Sequence, residues 1–173
     1  MNGSDDRAAF ARVVLPHLDA AYNLARWLLR DNDLAQDVVQ DAMVRAMTYF
    51  DGFRGDNARA WIMQIVRTAA YDHMAKRRGS KEQAMGSEEL PERADAADDP
   101  EMAFARVQDR ATLASALEEL PTELRECLML REFEDMSYRE IARITGAPIG
   151  TVMSRLWRAR RELLRWGRAQ CAT

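Results

Sequence analysis

Apolar residues recur at three- and four-residue intervals along most of the chain and nowhere alternate with period two, which predicts an all-α protein. A first helix opens at Ser4 or Asp5 and runs to about Arg30 on Phe10, Val14, Leu18, Leu24 and Leu28, with Pro16 kinking or interrupting it. The DNDL turn at 31–34 offers Asp31 to Asp33 as caps for a second helix to about Phe50, whose apolar stripe includes Leu34, Val38, Ala42 and Met43. After the Gly-containing loop 51–57, Asp56 is placed to cap a third helix that carries Trp61, Ile62, Ile65, Val66, Ala69 and Met74 to about Arg78. Further on, Asp99 and Pro100 open a helix to Leu120, and Pro121 breaks it and begins another to about Phe133. Met43, Met47, Met63 and Met129 fall on apolar faces, where core filling is expected of them.

Residues 137–161, SYREIARITGAPIGTVMSRLWRARR, spell two short helices joined by a tight turn. Ser137 and Glu140 have the spacing of a capping box, and Ile141 and Ile144 give the first helix an apolar side. Gly146 supplies a left-handed stop and Pro148 suits the start of the next helix. That helix carries Val152, Leu156 and Leu163 on one side, with Arg155, Arg158, Arg160, Arg161 and Arg165 on the remainder. This is the helix-turn-helix pattern, whose second helix enters a DNA major groove. Charge sharpens the reading: residues 143–168 hold seven Arg and one acid, although the 173-residue chain is net −3.

Charge also divides the chain. Residues 1–78 hold 11 basic and 10 acidic side chains, 79–105 hold 2 and 8, and 106–173 hold 12 and 10. The middle stretch, rich in Gly, Ser, Pro and small residues, reads as an acidic flexible linker between two small helical modules. Such a 27-residue tether has a relaxed span of ~30 Å and reaches roughly 90 Å at most. No apolar run is long enough for a membrane span, and the amino terminus lacks the basic start and apolar core of a secretory signal. Cys127 and Cys171 stand apart, without CxxC or Cys/His companions, so free thiols in a reducing cytoplasm are expected and no metal site is.

The third helix begins among Phe53, Arg54, Arg59 and Trp61 and ends on Lys76, Arg77 and Arg78. Basic residues beside aromatics suit single-stranded DNA, whose bases stack on rings. The same residues also suit a buried aromatic start and a basic helix end that complements the helix dipole. With DLAQDVVQDAMVRAM (33–47), FRGDNARAWIMQIVRTAAYDHMAKRR (53–78), LEELPTELRECLMLREFEDMSYREIA (117–142) and GTVMSRLWRARREL (150–163), the chain resembles the extracytoplasmic-function sigma factors of bacterial RNA polymerase, of the sigma-70 superfamily.

The resemblance implies a two-module fold, with a region-2-like part at 1–78 and a region-4-like part at 106–173. It implies that Asp37, Gln40, Asp41 and Arg45 dock on the β′ clamp of core polymerase; the spacing by itself also fits a solvated helix face. Phe53, Arg54, Arg59, Trp61, Arg67, Thr68 and Asp72, with Lys76, Arg77 and Arg78, fall where the family melts and reads the −10 element. The family often has Asn at the place of Thr68. Gly150, Thr151, Met153, Ser154, Arg155, Trp157, Arg158 and Arg161 fall where it reads the −35 element. Met153 stands where Lys or Arg is frequent, and Trp157 either packs inward or covers sugar and phosphate. The partners implied are core polymerase (β′ clamp and β flap), promoter DNA and an anti-sigma factor, with no cofactor or small-molecule substrate. The chain ends soon after its last helix, so control by a separate protein is expected. Rival readings are a sigma-like decoy or adaptor for an anti-sigma factor, and a stand-alone helix-turn-helix regulator. An enzyme is disfavoured because His17 and His73 have no evident catalytic partners.

Overall fold

A computed structural model describes residues 3–81 and 111–171, and every regular element among them is a helix. The first predicted helix is two: α1 (Gly3–Val14) and α2 (Leu18–Leu29), separated by a 3₁₀ turn over Leu15–His17 that contains Pro16. Proline removes a helical N–H donor and clashes with the preceding turn, so the break falls where the ring demands it. α2 stops on Arg30 in the left-handed conformation, and α3 (Asn32–Tyr49) starts at once, its N-cap Asp31 accepting from the Leu34 amide at 3.0 Å.

α4 (Ala58–Lys81) is capped by Asn57, not Asp56: the Asn57 Oδ1 accepts from the Ala60 amide at 2.9 Å. The residue just before the first helical position has the right reach to the third amide, and Asn57 holds that place. α4 also continues to Lys81, past the boundary at Arg78. Residues 82–110, with the predicted start at Asp99 and Pro100 and most of the linker, lie outside the described residues. Helix α5 is described over 111–119, followed by α6 (Thr122–Glu132), α7 (Tyr138–Thr145) and α8 (Ile149–Cys171).

α2, α3 and α4 pack mutually, as do α6, α7 and α8; α2 also lies on α6, and α4 on α7. The buried side chains therefore form a single cluster running from Leu24, Val38 and Ile62 through Leu130 to Ile141 and Leu156. α6 is buried all round, Leu124 through Leu130 without a gap. A helix buried on every face belongs in a core, and any charge on it needs a partner there. Arg125 meets this demand in part, its Nη1 donating to the carbonyls of Glu118 (3.1 Å) and Leu120 (3.2 Å) that the end of α5 leaves open, while its Nε is buried without a hydrogen-bond partner among the described residues. Met63 and Met129 are buried and Met43 packs on the core, but Met47 is 48% exposed: in the last turn of α3 it is Ala46, one residue earlier, that is buried.

Candidate nucleic-acid interface

On α3, Asp37, Gln40 and Asp41 are exposed, while Ala35, Val38, Val39 and Ala42 are buried on its inner face and Leu34 is half-buried. Arg45 bridges Asp41 and Asp72, each at 2.9 Å, and so ties α3 to α4. Its guanidinium is held above its usual pKa, first by the hydrogen bond to Asp72. Asp72, grouped by sequence with the −10 residues, thus sits beside the Asp37–Arg45 face. With Asp37, Asp41, Arg45, His73 and Lys76 it borders a shallow hollow of about 230 Å³. Exposed ion pairs of this kind add little stability.

The loop before α4 folds over aromatic rings. Phe53 lies 4.6 Å from Trp61 between ring centroids, Phe50 stacks on Phe53 at 6.4 Å, and Phe10 meets Phe50 edge-on at 5.4 Å. At Gly55 a Cβ would stand 3.2 Å from the Phe53 ring, so any larger residue there would press on it. Beside the rings is a second hollow of about 230 Å³, bordered by Arg54, Asn57, Gln64 and, from α7, Arg143. Arg54 is exposed, as are Thr68, whose hydroxyl donates to the Gln64 carbonyl, and Lys76, Arg77 and Arg78 at the end of α4.

Arg59 and Arg67 behave differently: both turn into the second module. Arg67 donates through Nε to one oxygen of Glu126 and through Nη2 to the other at 3.3 Å; its guanidinium lies 4.2 Å from the Tyr71 ring centroid. The Tyr71 hydroxyl donates to Glu126 at 3.1 Å. The Glu126 side chain is fully buried, and burial pushes its carboxyl above the usual range against the opposing pull of Arg67 and Tyr71. Burial, then Glu126, raises the Tyr71 phenol to about 12. Arg59 donates to the Glu134 carbonyl and, at 2.8 Å, to its carboxylate. The Asn57 Nδ2 donates to Glu140 at 2.7 Å, while the other Glu140 oxygen accepts from the Ser137 amide. One glutamate therefore completes the α7 capping box and touches the cap residue of α4.

The helix-turn-helix matches its pattern: the capping box of Ser137 and Glu140 is formed and Gly146 is left-handed at φ 68. On α8, Val152, Leu156 and Ala159 are buried, which turns Gly150, Ser154, Trp157, Arg158 and Arg161 to the opposite side. Trp157 is 60% exposed, resolving its two sequence readings toward the outward one, and Arg161 stacks on it at 5.1 Å. Met153 is also exposed, at the edge of this arc; Thr151 is half-buried. Arg155 is half-buried toward α6, close enough to Glu126 and Cys127 to act on both. Arg160 leaves the arc for Glu132 at 2.6 Å.

Sequence reasoning did not single out Tyr71, Glu126 or Glu134. The available signal was an acid inside a helix with no polar face: Glu126 lies among Leu124, Cys127, Leu128 and Leu130, all buried. Its partner, 59 residues away in sequence, left no local trace. Among the described residues no cluster of metal-ligating side chains is present.

The comparisons agree with this architecture. Residues 13–80 match the family description "Sigma-70 region 2" and residues 110–163 match "Sigma-70, region 4". The RNA polymerase sigma-H factor of Pseudomonas aeruginosa is 36% identical over 165 residues, covering 91% of this chain and 86% of that protein. The ECF RNA polymerase sigma-E factor of Escherichia coli K12 is 32% identical over 165 residues, with the same coverage. Among solved structures, the sigma factor RpoE of Bartonella quintana, in complex with the anti-sigma factor NepR, superposes with a TM-score of 0.73 at 29% identity, covering 92% of this chain and 97% of that one. CnrH, in complex with the cytosolic domain of CnrY, gives 0.65 at 28% identity over 94% of this chain and 90% of that one. The chain belongs to the extracytoplasmic-function sigma factors of the sigma-70 superfamily, non-enzymatic subunits that bind core RNA polymerase and direct transcription initiation to particular promoters.

Proposed function

We propose that residues 1–78 form the polymerase-binding and −10-melting module, residues 106–173 the −35-reading module, and residues 79–105 an acidic connection between them. Asp37, Gln40, Asp41 and Arg45 dock on the β′ clamp, and the second module meets the β flap. The pairing of Arg45 with Asp72 supports a role for Asp72 in shaping the clamp-facing surface. Phe53 and Trp61 offer stacking rings, while Arg54, Arg59, Arg67, Lys76, Arg77 and Arg78 supply cations for a single strand, with Thr68 exposed among them. Gly150, Thr151, Met153, Ser154, Arg155, Trp157, Arg158 and Arg161 meet the −35 duplex.

The observation that carries this reading is the outward arc of Trp157, Arg158 and Arg161 on the second helix of a fully capped helix-turn-helix. A decoy that only sequesters an inhibitor has no use for a solvent-facing arginine arc of this kind. RpoE and CnrH were each solved with an anti-sigma partner, and a whole-chain likeness to them supports an anti-sigma factor for this chain. No described helix is long and apolar enough to cross a membrane, and the place of action is the cytoplasm, at the membrane when such a partner is anchored there. Run-off transcription with purified core polymerase on a promoter library tests the whole reading. Promoter-selective transcripts are expected, and their absence without any inhibitor present would sink it.

A further inference from the structure

Exposed apolar side chains occur singly on most protein surfaces and need no account. On α8 they are aligned. Ile149, Met153 and Trp157, 42%, 52% and 60% exposed, recur at every fourth residue, which sets them in one stripe along the helix. Val152, Leu156 and Ala159 already supply the buried side of α8, so the stripe is not needed for packing. Beside it, on the same outward arc, run Ser154, Arg158 and Arg161. The only acid in the sequence of α8, Glu162, is paired with Arg165 at 3.2 Å. The outward surface of the helix is thus divided lengthwise into an apolar flank and a cationic, polar one. The two meet where the Arg161 guanidinium lies over the Trp157 ring.

We propose that Ile149 and Met153 read thymine 5-methyl groups in the −35 duplex. The proposal rests on the reading of α8 as the −35 helix and names what its apolar flank recognises. Arginines along the stripe call for a polyanion rather than the apolar face of another helix. In the major groove of duplex DNA every base edge presents hydrogen-bonding groups, and the one apolar feature is the thymine methyl. The side chains of Ile149 and Met153 have no hydrogen-bond donor to offer there. Ile149 is also the first residue of α8, and the N-terminal residues of a recognition helix are those that reach base edges. Four residues advance ~6 Å along a helix, less than two base steps of about 3.4 Å each, so the two contacts fall on neighbouring or next-neighbouring pairs. Cytosine in either place would lose the methyl contact and press its amino group, a donor without a partner, against an apolar side chain. Ser154 and Arg158, on the polar flank, are left to phosphates and hydrogen-bonding base edges.

The test uses holoenzyme assembled from the full chain and purified core polymerase, which first selects −35 elements from a randomised promoter library. Each thymine of the selected element is then replaced by deoxyuridine, which removes the methyl group and nothing else. One or two of these replacements should weaken promoter binding ~4-fold each, the ratio that corresponds to one buried methyl, and the others should leave it unchanged. In Ile149→Ala/Met153→Ala the same replacements should have no effect, and selection at those positions should relax. Both residues are exposed and alanine favours a helix, so the variant should fold; the deoxyuridine series on the wild type needs no variant at all. A selected element without thymine, no deoxyuridine penalty at any position, or a penalty that survives in the double alanine variant overturns the proposal. An absent penalty together with loss of DNA-free core polymerase binding in the variant overturns it by marking the stripe as a protein-docking face. Wild-type holoenzyme that selects a −10 sequence but no −35 sequence overturns the reading of α8 itself, and the proposal with it.

Discussion

Gly146 and Cys127 show how much a single position carries. At φ 68 Gly146 adopts a conformation that side-chain-bearing residues avoid, although open space surrounds the place a Cβ would take. The cost of Gly146→Ala is therefore conformational, about 1 kcal/mol. It should appear as a lower chemical-denaturation midpoint with unchanged slope; an unchanged midpoint would mean that the turn relaxes. Cys127 is buried in α6, and burial, then Glu126, pushes its thiol up to about 11. Thiolate is the reactive form, so Cys127 should resist iodoacetamide at neutral pH in the native chain and react on unfolding. Mass spectrometry of the labelled peptides checks this. Rapid native labelling would show that α6 opens readily.

At the scale of elements, α7 depends on its cap. Glu140 is held below its ordinary pKa, chiefly by the Ser137 backbone N–H and then by Asn57. A carboxyl depressed in the folded state contributes stability that is present above its unfolded pKa and lost as pH falls through the folded value. The unfolding free energy should thus drop less steeply from roughly pH 5 to 3 in Glu140→Gln than in the wild type, as followed by circular dichroism. Identical pH profiles would remove the carboxylate from the cap's energetics. On α8 two arginines that look alike in sequence divide by environment. Arg158→Ala should cost ~1–3 kcal/mol in binding to −35 duplex and relax one base position, with the fold intact. Uniform weakening across sequences would make Arg158 a phosphate contact instead. Arg155, turned toward Glu126 and Cys127, should lower stability as well as DNA binding when replaced by Ala.

For the whole molecule, a single buried cluster spans both modules, so heat should unfold the described residues in one cooperative transition. Glu126→Ala leaves the Arg67 charge without its buried partner, a loss of about 3 kcal/mol. Calorimetry should then show a lower midpoint and a transition broadened or split between the modules. An unshifted single peak would mean that apolar packing of α2 on α6 couples them without the ion pair.

Local chemistry was legible in the chain. The break at Pro16, the Asp31 cap, the Ser137–Glu140 box, the Gly146 stop and the apolar stripes follow from interactions within about four residues, which sequence spacing encodes directly. The aromatic–basic start of α4 and the arginine-rich α8 were legible for the same reason. Cap choice between Asp56 and Asn57 was near the limit, because adjacent residues of similar chemistry differ only in reach. Tertiary structure alone decided which charges face solvent. Arg67 and Arg158 carry the same side chain, yet one lies against a buried glutamate and the other projects from α8. That difference depends on which helix lies opposite, set by apolar packing between segments far apart in sequence, and no local pattern of residues records it.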